Sequence, residues 1–437
     1  MNKIFLMLMT GLFFVTAASA QTTPATTSVS TITTTSFEVN GLKVIFKPTV
    51  KEVISVRMYF RGGNANFAAS QAGIESFALK AATDCGVKSY SSNTFRDMAD
   101  KYNINIGGSA DYDYGYIGLN CVAKYFNEGW NLFNKAVTEP VFEESEVQLL
   151  KQKALAAVKT GETNPDDRIE KLGVQSAFRG TPYAYDPDGS EETLSRLNGI
   201  DLKNYYYKLL NKNRMFLVVA GKITRQQLEA KIKEAFANLP SAPYTPAVYQ
   251  NPLFVGDKAV MEKRDLATNY MSAIMNAPVM SSPDYVPFRM GINALSGSLF
   301  GQLRTKYNLS YAPGAFSTIN QQPYAMMYVS TTNPKEAARI MIDVLNRLKK
   351  STLTTAGLRD MKSGYITTNY MKLQNSESVT GNLGEAEIMG DWNYAERMPD
   401  LINNVTPDQI SKALNKYIAG LRWVYLGNEA QAVGLFN

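Results

Sequence analysis

Arg61-Gly62-Gly63 and, a short loop later, Gly73-Ile74-Glu75-Ser76-Phe77-Ala78-Leu79-Lys80 form the stretch on which the reading of this chain turns. Upstream of the glycines, Val53 to Phe60 is an apolar run of strand length. Downstream, apolar residues recur at helical spacing over residues 73–83. The unit is therefore a strand, a Gly-Gly turn and a helix.

Working outward, Phe37 to Phe46 reads as two short strands around Asn40-Gly41, the dipeptide that favours a two-residue hairpin turn. A helix over 94–102 precedes paired strands at 104–110 and 115–122. Helices follow near 127–137, 143–160, 166–178 and 201–210, then a strand at 215–220 and a helix at 224–237. Residues 239–258 carry Pro240, Pro243, Pro246 and Pro252, which fits a linker and neither a helix nor a central strand. Beyond it the order repeats: strand 269–276, helix 285–296, strand 324–331, helices 335–349 and 355–368. Thr355–Thr368 matches Glu144–Ala157 in position and pattern, and Asn403 to Ile410 introduces a helix as Leu197 to Asp201 does. The expected fold is α+β: two homologous domains, 36–238 and 259–437, each a mixed or antiparallel sheet with helices packed on one face.

The first twenty residues read as a secretory signal. Lys3 opens it, Ile4 to Val15 is its apolar core, and Ala18-Ser19-Ala20 is a cleavage site. The run is short for a bilayer span, and no later segment approaches that length. Residues 21–35, rich in Thr and Ser, read as a flexible leader. The expectation is an exported, periplasmic protein. A net charge of +6 without a basic stripe gives no reason to invoke a nucleic-acid partner. Cys85 and Cys121 are open to two readings, a disulfide or two separate buried thiols.

The chain contains no histidine. The commonest metal ligand and the commonest general base near neutral pH are thus missing. Ser-His-Asp and Cys-His nucleophile pairs, and zinc helices of the H-E-x-x-H or H-x-x-E-H kind, cannot be built.

Arg61-Gly62-Gly63 with Gly73 to Lys80 nevertheless resembles the opening of the insulinase/pitrilysin-type metallopeptidases, the group that includes the mitochondrial processing peptidases. Members place H-x-x-E-H on this helix, and a second Glu on a later helix completes the zinc site. The resemblance puts Ser76 and Lys80 at the two His positions, Leu79 at the water-activating Glu, and Ala157 at the later ligand. None of the four can do its relative's work. Gly107-Gly108-Ser109-Ala110 lies where the family has an edge strand that pairs with extended peptide, with Ser109 replacing the usual Asn. Gly297 to Tyr311 is similar to the family's Arg…Gly-Leu-x-Tyr segment, retaining Arg304 and Tyr311 while Asn308 replaces the usual Gly. The resemblance spans nearly all of residues 37–425.

It implies a half of a metallopeptidase clamshell with no zinc of its own. The expected role is a non-catalytic subunit pairing with a zinc-bearing homologue and helping to bind peptide through Arg304, Tyr311 and the 107–110 strand. A stand-alone peptide-binding or scaffold protein is the alternative, and an enzyme of non-zinc chemistry ranks last. A Ser76–Lys80 dyad would need a desolvated lysine, whereas the neighbouring polar positions suggest a wet face. Tyr112-Asp113-Tyr114 reads as alternating strand faces, Tyr205-Tyr206-Tyr207 as a helix with one buried side, Asp166-Asp167 as a helix-start pair, and Glu385 and Glu387 as solvated.

Overall fold

Two-residue periodicity in the strands and its absence in one of them set out the architecture. The computed structural model describes residues 33–350 and 353–436, so the signal and most of the leader lie outside the described residues. The first half contributes β1 (Thr35–Val39), β2 (Leu42–Pro48), β3 (Val53–Arg61), β4 (Asn105–Ala110), β5 (Tyr114–Val122) and β6 (Met215–Gly221). The second contributes β7 (Lys258–Lys263), β8 (Asn269–Asn276), β9 (Gly314–Ser317), β10 (Tyr324–Thr331) and β11 (Arg422–Gly427). β1 and β2 form the hairpin read from Asn40-Gly41; both turn residues have positive φ and Val39 pairs with Leu42.

The sheets run β1-β2-β6-β3-β5-β4 and β7-β11-β8-β10-β9. In the first, β2 and β6 are parallel and the other neighbours antiparallel. In the second, β7 and β11 are parallel and the rest antiparallel. Apart from the extra edge strand β1, the two halves have one topology, as expected of the repeated order. No helix or strand forms between Phe236 and Lys258, the proline-rich stretch. The second-half helices Tyr285–Leu299, Pro334–Lys350, Thr355–Lys372 and Pro407–Tyr417 occupy the places of Ile74–Asp84, Phe126–Thr138, Glu144–Thr163 and Gly199–Leu209. Asn198 and Thr406 cap the last pair, each with a reciprocal capping box.

β6 is buried on both faces, which is why Met215 to Ala220 is apolar without interruption. Met215, Leu217 and Val219 face the first half's own helices. Phe216, Val218 and Ala220 face the Ser376–Ile388 helix of the second half, through Val379 and Leu383. The exchange is reciprocal: Ile169 and Val174 of the Pro165–Ala177 helix pack on the second sheet at Ile274, Val424 and Leu426. Each half's own helices thus lie on one face of its sheet, and a helix lent by the other half covers the second face. Gly384 makes one crossing possible, since a Cβ there would stand 2.2 Å from the ring of Tyr59 on β3.

Polar groups stitch the same boundary. Asp113 is buried and accepts from the Tyr183 hydroxyl at 2.5 Å and from the Gln321 amide at 2.9 Å. It lies in the turn before β5, while Tyr112 beside it stacks on Tyr183. Glu387, read from sequence as solvated, is buried instead. Its carboxylate takes Arg61 at 2.5 Å and Lys43 at 2.7 Å, because the crossing helix presses it onto β2 and β3. Glu385 is half-buried and accepts from the Tyr114 hydroxyl at 3.4 Å, so it too departs from that reading. Cys85 and Cys121 are separate buried thiols, each pushed up to about 12 chiefly by burial.

Candidate functional site

The Ile74–Asp84 helix, the Glu144–Thr163 helix and the Pro165–Ala177 helix meet around a cavity of about 110 Å³. Ser76, Lys80 and Ala157 line it together, as do Lys171 and Asp188. Three of the four positions assigned to a metal site by resemblance are therefore gathered at one place. Residues at i and i+4 share a helix face, which brings Ser76 beside Lys80. The fourth, Leu79, is fully buried against Gly108 and Gly115 of β4 and β5.

The donor set does not fit a metal ion. Alanine offers a methyl group, and lysine offers a cation that repels one. Among the described residues no group of three or more Cys, Asp or Glu side chains stands where it could hold a metal. The cavity has its own polar network instead. The Asp188 carboxylate accepts from the Ser76 hydroxyl at 2.5 Å and from the Lys80 ammonium at 3.0 Å. Burial pushes the Asp188 carboxyl up, but Lys80 and Ser76 outweigh it and leave it below the usual carboxylate range. Lys171 pairs with Asp186 at 2.7 Å. Lys80 is 40% exposed and ion-paired, so it lacks the desolvation that a Ser–Lys dyad requires.

Asp188 was not singled out in the sequence: Asp186-Pro187-Asp188-Gly189 is a turn signature, but a turn signature does not say which helix the turn meets. Glu75 was also missed. It is fully buried, and its Oε2 accepts from the Tyr205 hydroxyl at 2.5 Å and the Asn66 amide at 2.8 Å. Its Oε1 has no partner. Burial raises this carboxyl to about 7, against the hydrogen bonds that lower it. Tyr205 and Tyr206 are buried and Tyr207 is exposed, the one-sided pattern expected.

β4, with Gly107 to Ala110, is the edge of the first sheet. The helix crosses it so closely that a Cβ on Gly108 would stand 2.1 Å from the Leu79 carbonyl oxygen. Position 107 is open, and Ser109 and Ala110 are half-buried. Its outer rim of backbone groups has no strand partner among the described residues.

Arg304 and Tyr311 come together in the second half. The Tyr285–Leu299 helix widens into a π-helical segment, Phe300–Lys306, and Arg304 lies on it. Its guanidinium sits 4.3 Å from the Tyr311 ring centre and 4.9 Å from that of Phe300. Tyr311 is 78% exposed. Asn308 has φ +53°, the left-handed conformation that asparagine tolerates best among residues with a side chain. That accounts for asparagine where the resemblance has glycine.

Residues 196–365 match the family model described as the peptidase M16 inactive domain. The chain is similar to the inactive domain of the M16 peptidases and to relatives described both as zinc proteases and as a non-peptidase homolog. It is 20% identical over 401 residues to a Rickettsia felis protein described as an uncharacterized zinc protease, spanning 87% of this chain and 94% of that one. A Helicobacter pylori protein described as the non-peptidase homolog YmxG is 22% identical over 208 residues, 48% of this chain and 47% of that one. The fold is that of the peptidase M16 inactive domain structure from Pseudomonas fluorescens. That match has a TM-score of 0.81 at 19% identity and covers 90% of this chain and 98% of that one. The M16 fold has two homologous domains, which agrees with the duplicated sheet topology.

Proposed function

We propose that this M16 relative is the non-catalytic subunit of an exported zinc peptidase. It pairs with a zinc-bearing homologue and contributes to peptide binding. One contrast carries the reading: the metal positions assigned by resemblance hold Ser76, Lys80 and Ala157 around an ion-paired cavity, while a half-buried Arg304 remains paired with an exposed Tyr311. A guanidinium fork and a rigid phenol can hold peptide carbonyls and stabilise charge on an attacked one. The free rim of β4 at residues 107–110 can take an extended peptide as an added strand, with backbone hydrogen bonds supplying affinity. Zinc and the activated water belong to the partner in this scheme. The Lys3 to Ala20 segment directs export, and among the described residues no helix is long and apolar enough to cross a membrane.

The test is co-expression with a homologue that has an intact H-x-x-E-H helix, followed by peptide cleavage and zinc assays on each chain and on the pair. The pair should cleave faster than the homologue alone. Arg304→Ala should lower the pair's kcat/KM by about tenfold or more with assembly unchanged. Unchanged cleavage by the Arg304 variant rejects the half-site, and failure to co-purify rejects the pairing.

A further inference from the structure

The duplication gives the vacated metal pocket a counterpart. Counted from the first residue of each helix, Ala154, Ala157 and Val158 correspond to Tyr365, Thr368 and Asn369. On the crossing helices, Lys171 corresponds to Asn382. All four first-half residues line the first cavity, and all four second-half residues line another, of about 220 Å³. The second cavity is thus at the equivalent place in the second half, and it is the larger.

Its lining suits a small zwitterion. Arg289, Lys372 and Glu385 are the charged groups around it. Arg289 donates one hydrogen bond to the Tyr285 hydroxyl at 2.9 Å, and its remaining donors have no ion-pair partner among the described residues. Glu385 forms no ion pair there either, and has only the long contact from Tyr114. A guanidinium and a carboxylate that share a wall without pairing are each available to an opposite charge. The side-chain nitrogen of Asn369 is buried with no acceptor. Besides Thr368, Asn382 and Tyr365, the wall carries apolar side chains, Met280, Met290 and Met398 among them, and methionine adapts to varied shapes. The volume lies below the ~300–1,000 Å³ of pockets for drug-sized ligands, which favours a metabolite of few atoms.

We infer that this cavity binds a free apolar α-amino acid, its carboxylate on Arg289 and Asn369, its ammonium on Glu385 and its side chain among the methionines. This site is independent of the peptide-binding role and of any partner subunit.

The experiment is calorimetric titration of the whole mature chain with L-leucine, N-acetyl-L-leucine and L-leucinamide. L-Leucine should bind with a Kd of about 1 mM or tighter, and each blocked analogue should bind at least about tenfold more weakly. N-Acetyl-L-leucine mimics a peptide C-terminus and L-leucinamide an N-terminus, so equal binding of either overturns a site for the free amino acid. No binding of L-leucine overturns it as well. Glu385→Gln should weaken L-leucine at least about tenfold while leaving N-acetyl-L-leucine within about twofold; an equal loss for both refutes the assigned ammonium contact. The analogue comparison uses the unaltered protein and stands even if the variant does not fold.

Discussion

Glu75→Gln should make the protein more stable at pH 8 relative to its effect at pH 5. The unfolded carboxyl ionises near 4.5, and the buried one near 7. Below the first value both states carry the proton and the burial cost is absent. As pH rises between the two, the unfolded chain releases a proton that the folded chain retains, so folding weakens; above the second value the whole cost is present. The rise from 4.5 to about 7 corresponds to about 3 kcal/mol at 1.36 kcal/mol per unit, and Glu75 is fully buried. Roughly 2 kcal/mol of that should fall between pH 5 and pH 8. Glutamine keeps the acceptor for Tyr205 and Asn66 and removes the titration. Urea unfolding of both proteins at both pH values gives the double difference. Any fixed cost of an amide N–H against Gly115 cancels in it, as does the weakening from Asp113, whose carboxyl burial raises to about 6. No histidine adds a further titration to this window. A variant-minus-parent stability that stays level or falls between pH 5 and pH 8 refutes the argument.

Restoring ligands should restore metal affinity: Ser76→His with Lys80→His and Ala157→Glu should bind one zinc per chain by elemental analysis after dialysis, and the parent none. Failure of the folded triple variant to bind would show that the three positions do not converge as a ligand set. Gly108→Val drives side-chain atoms into the Leu79 backbone and should cost about 1–3 kcal/mol or more, read as a lower urea midpoint. Glu387→Gln leaves Arg61 and Lys43 without their carboxylate. Because both cations are partly exposed, the loss should be about 1–3 kcal/mol, below the ~3–5 of a fully buried pair, measured at pH 7.

The strands and long helices were legible because their periodicity is strong: the ranges 269–276 and 324–331 coincide with β8 and β10, and the 285 and 355 helix starts are the observed ones. The Ser376–Ile388 helix was not. Its Gly381 and Gly384 weaken the helical signal, yet both lie against side chains of β3, so tertiary packing imposed the residues that hide the element. Strands β7, β9 and β11 were missed where exposed or aromatic residues blur alternation. At the site, Ser76, Lys80 and Ala157 could be named from motif order. Asp188 could not, because a loop distant in sequence supplies it, and Glu75 was hidden because sequence does not tell a buried carboxyl from a solvated one.

The crossing helices tie the wall of each cavity to the packing of the opposite sheet. The Pro165–Ala177 helix carries Lys171 to the first cavity and also covers the second sheet; the Ser376–Ile388 helix carries Asn382 and Glu385 to the counterpart cavity and also covers the first. Neither half can bury its sheet alone, so residues 33–437 cluster as one unit. The frame around each cavity is therefore held by apolar packing between segments far apart in the chain, of the kind worth about 1.5–3 kcal/mol for each large side chain buried. The Lys80–Asp188 pair balances its own charge in the first cavity, and the same packing holds the second cavity in place.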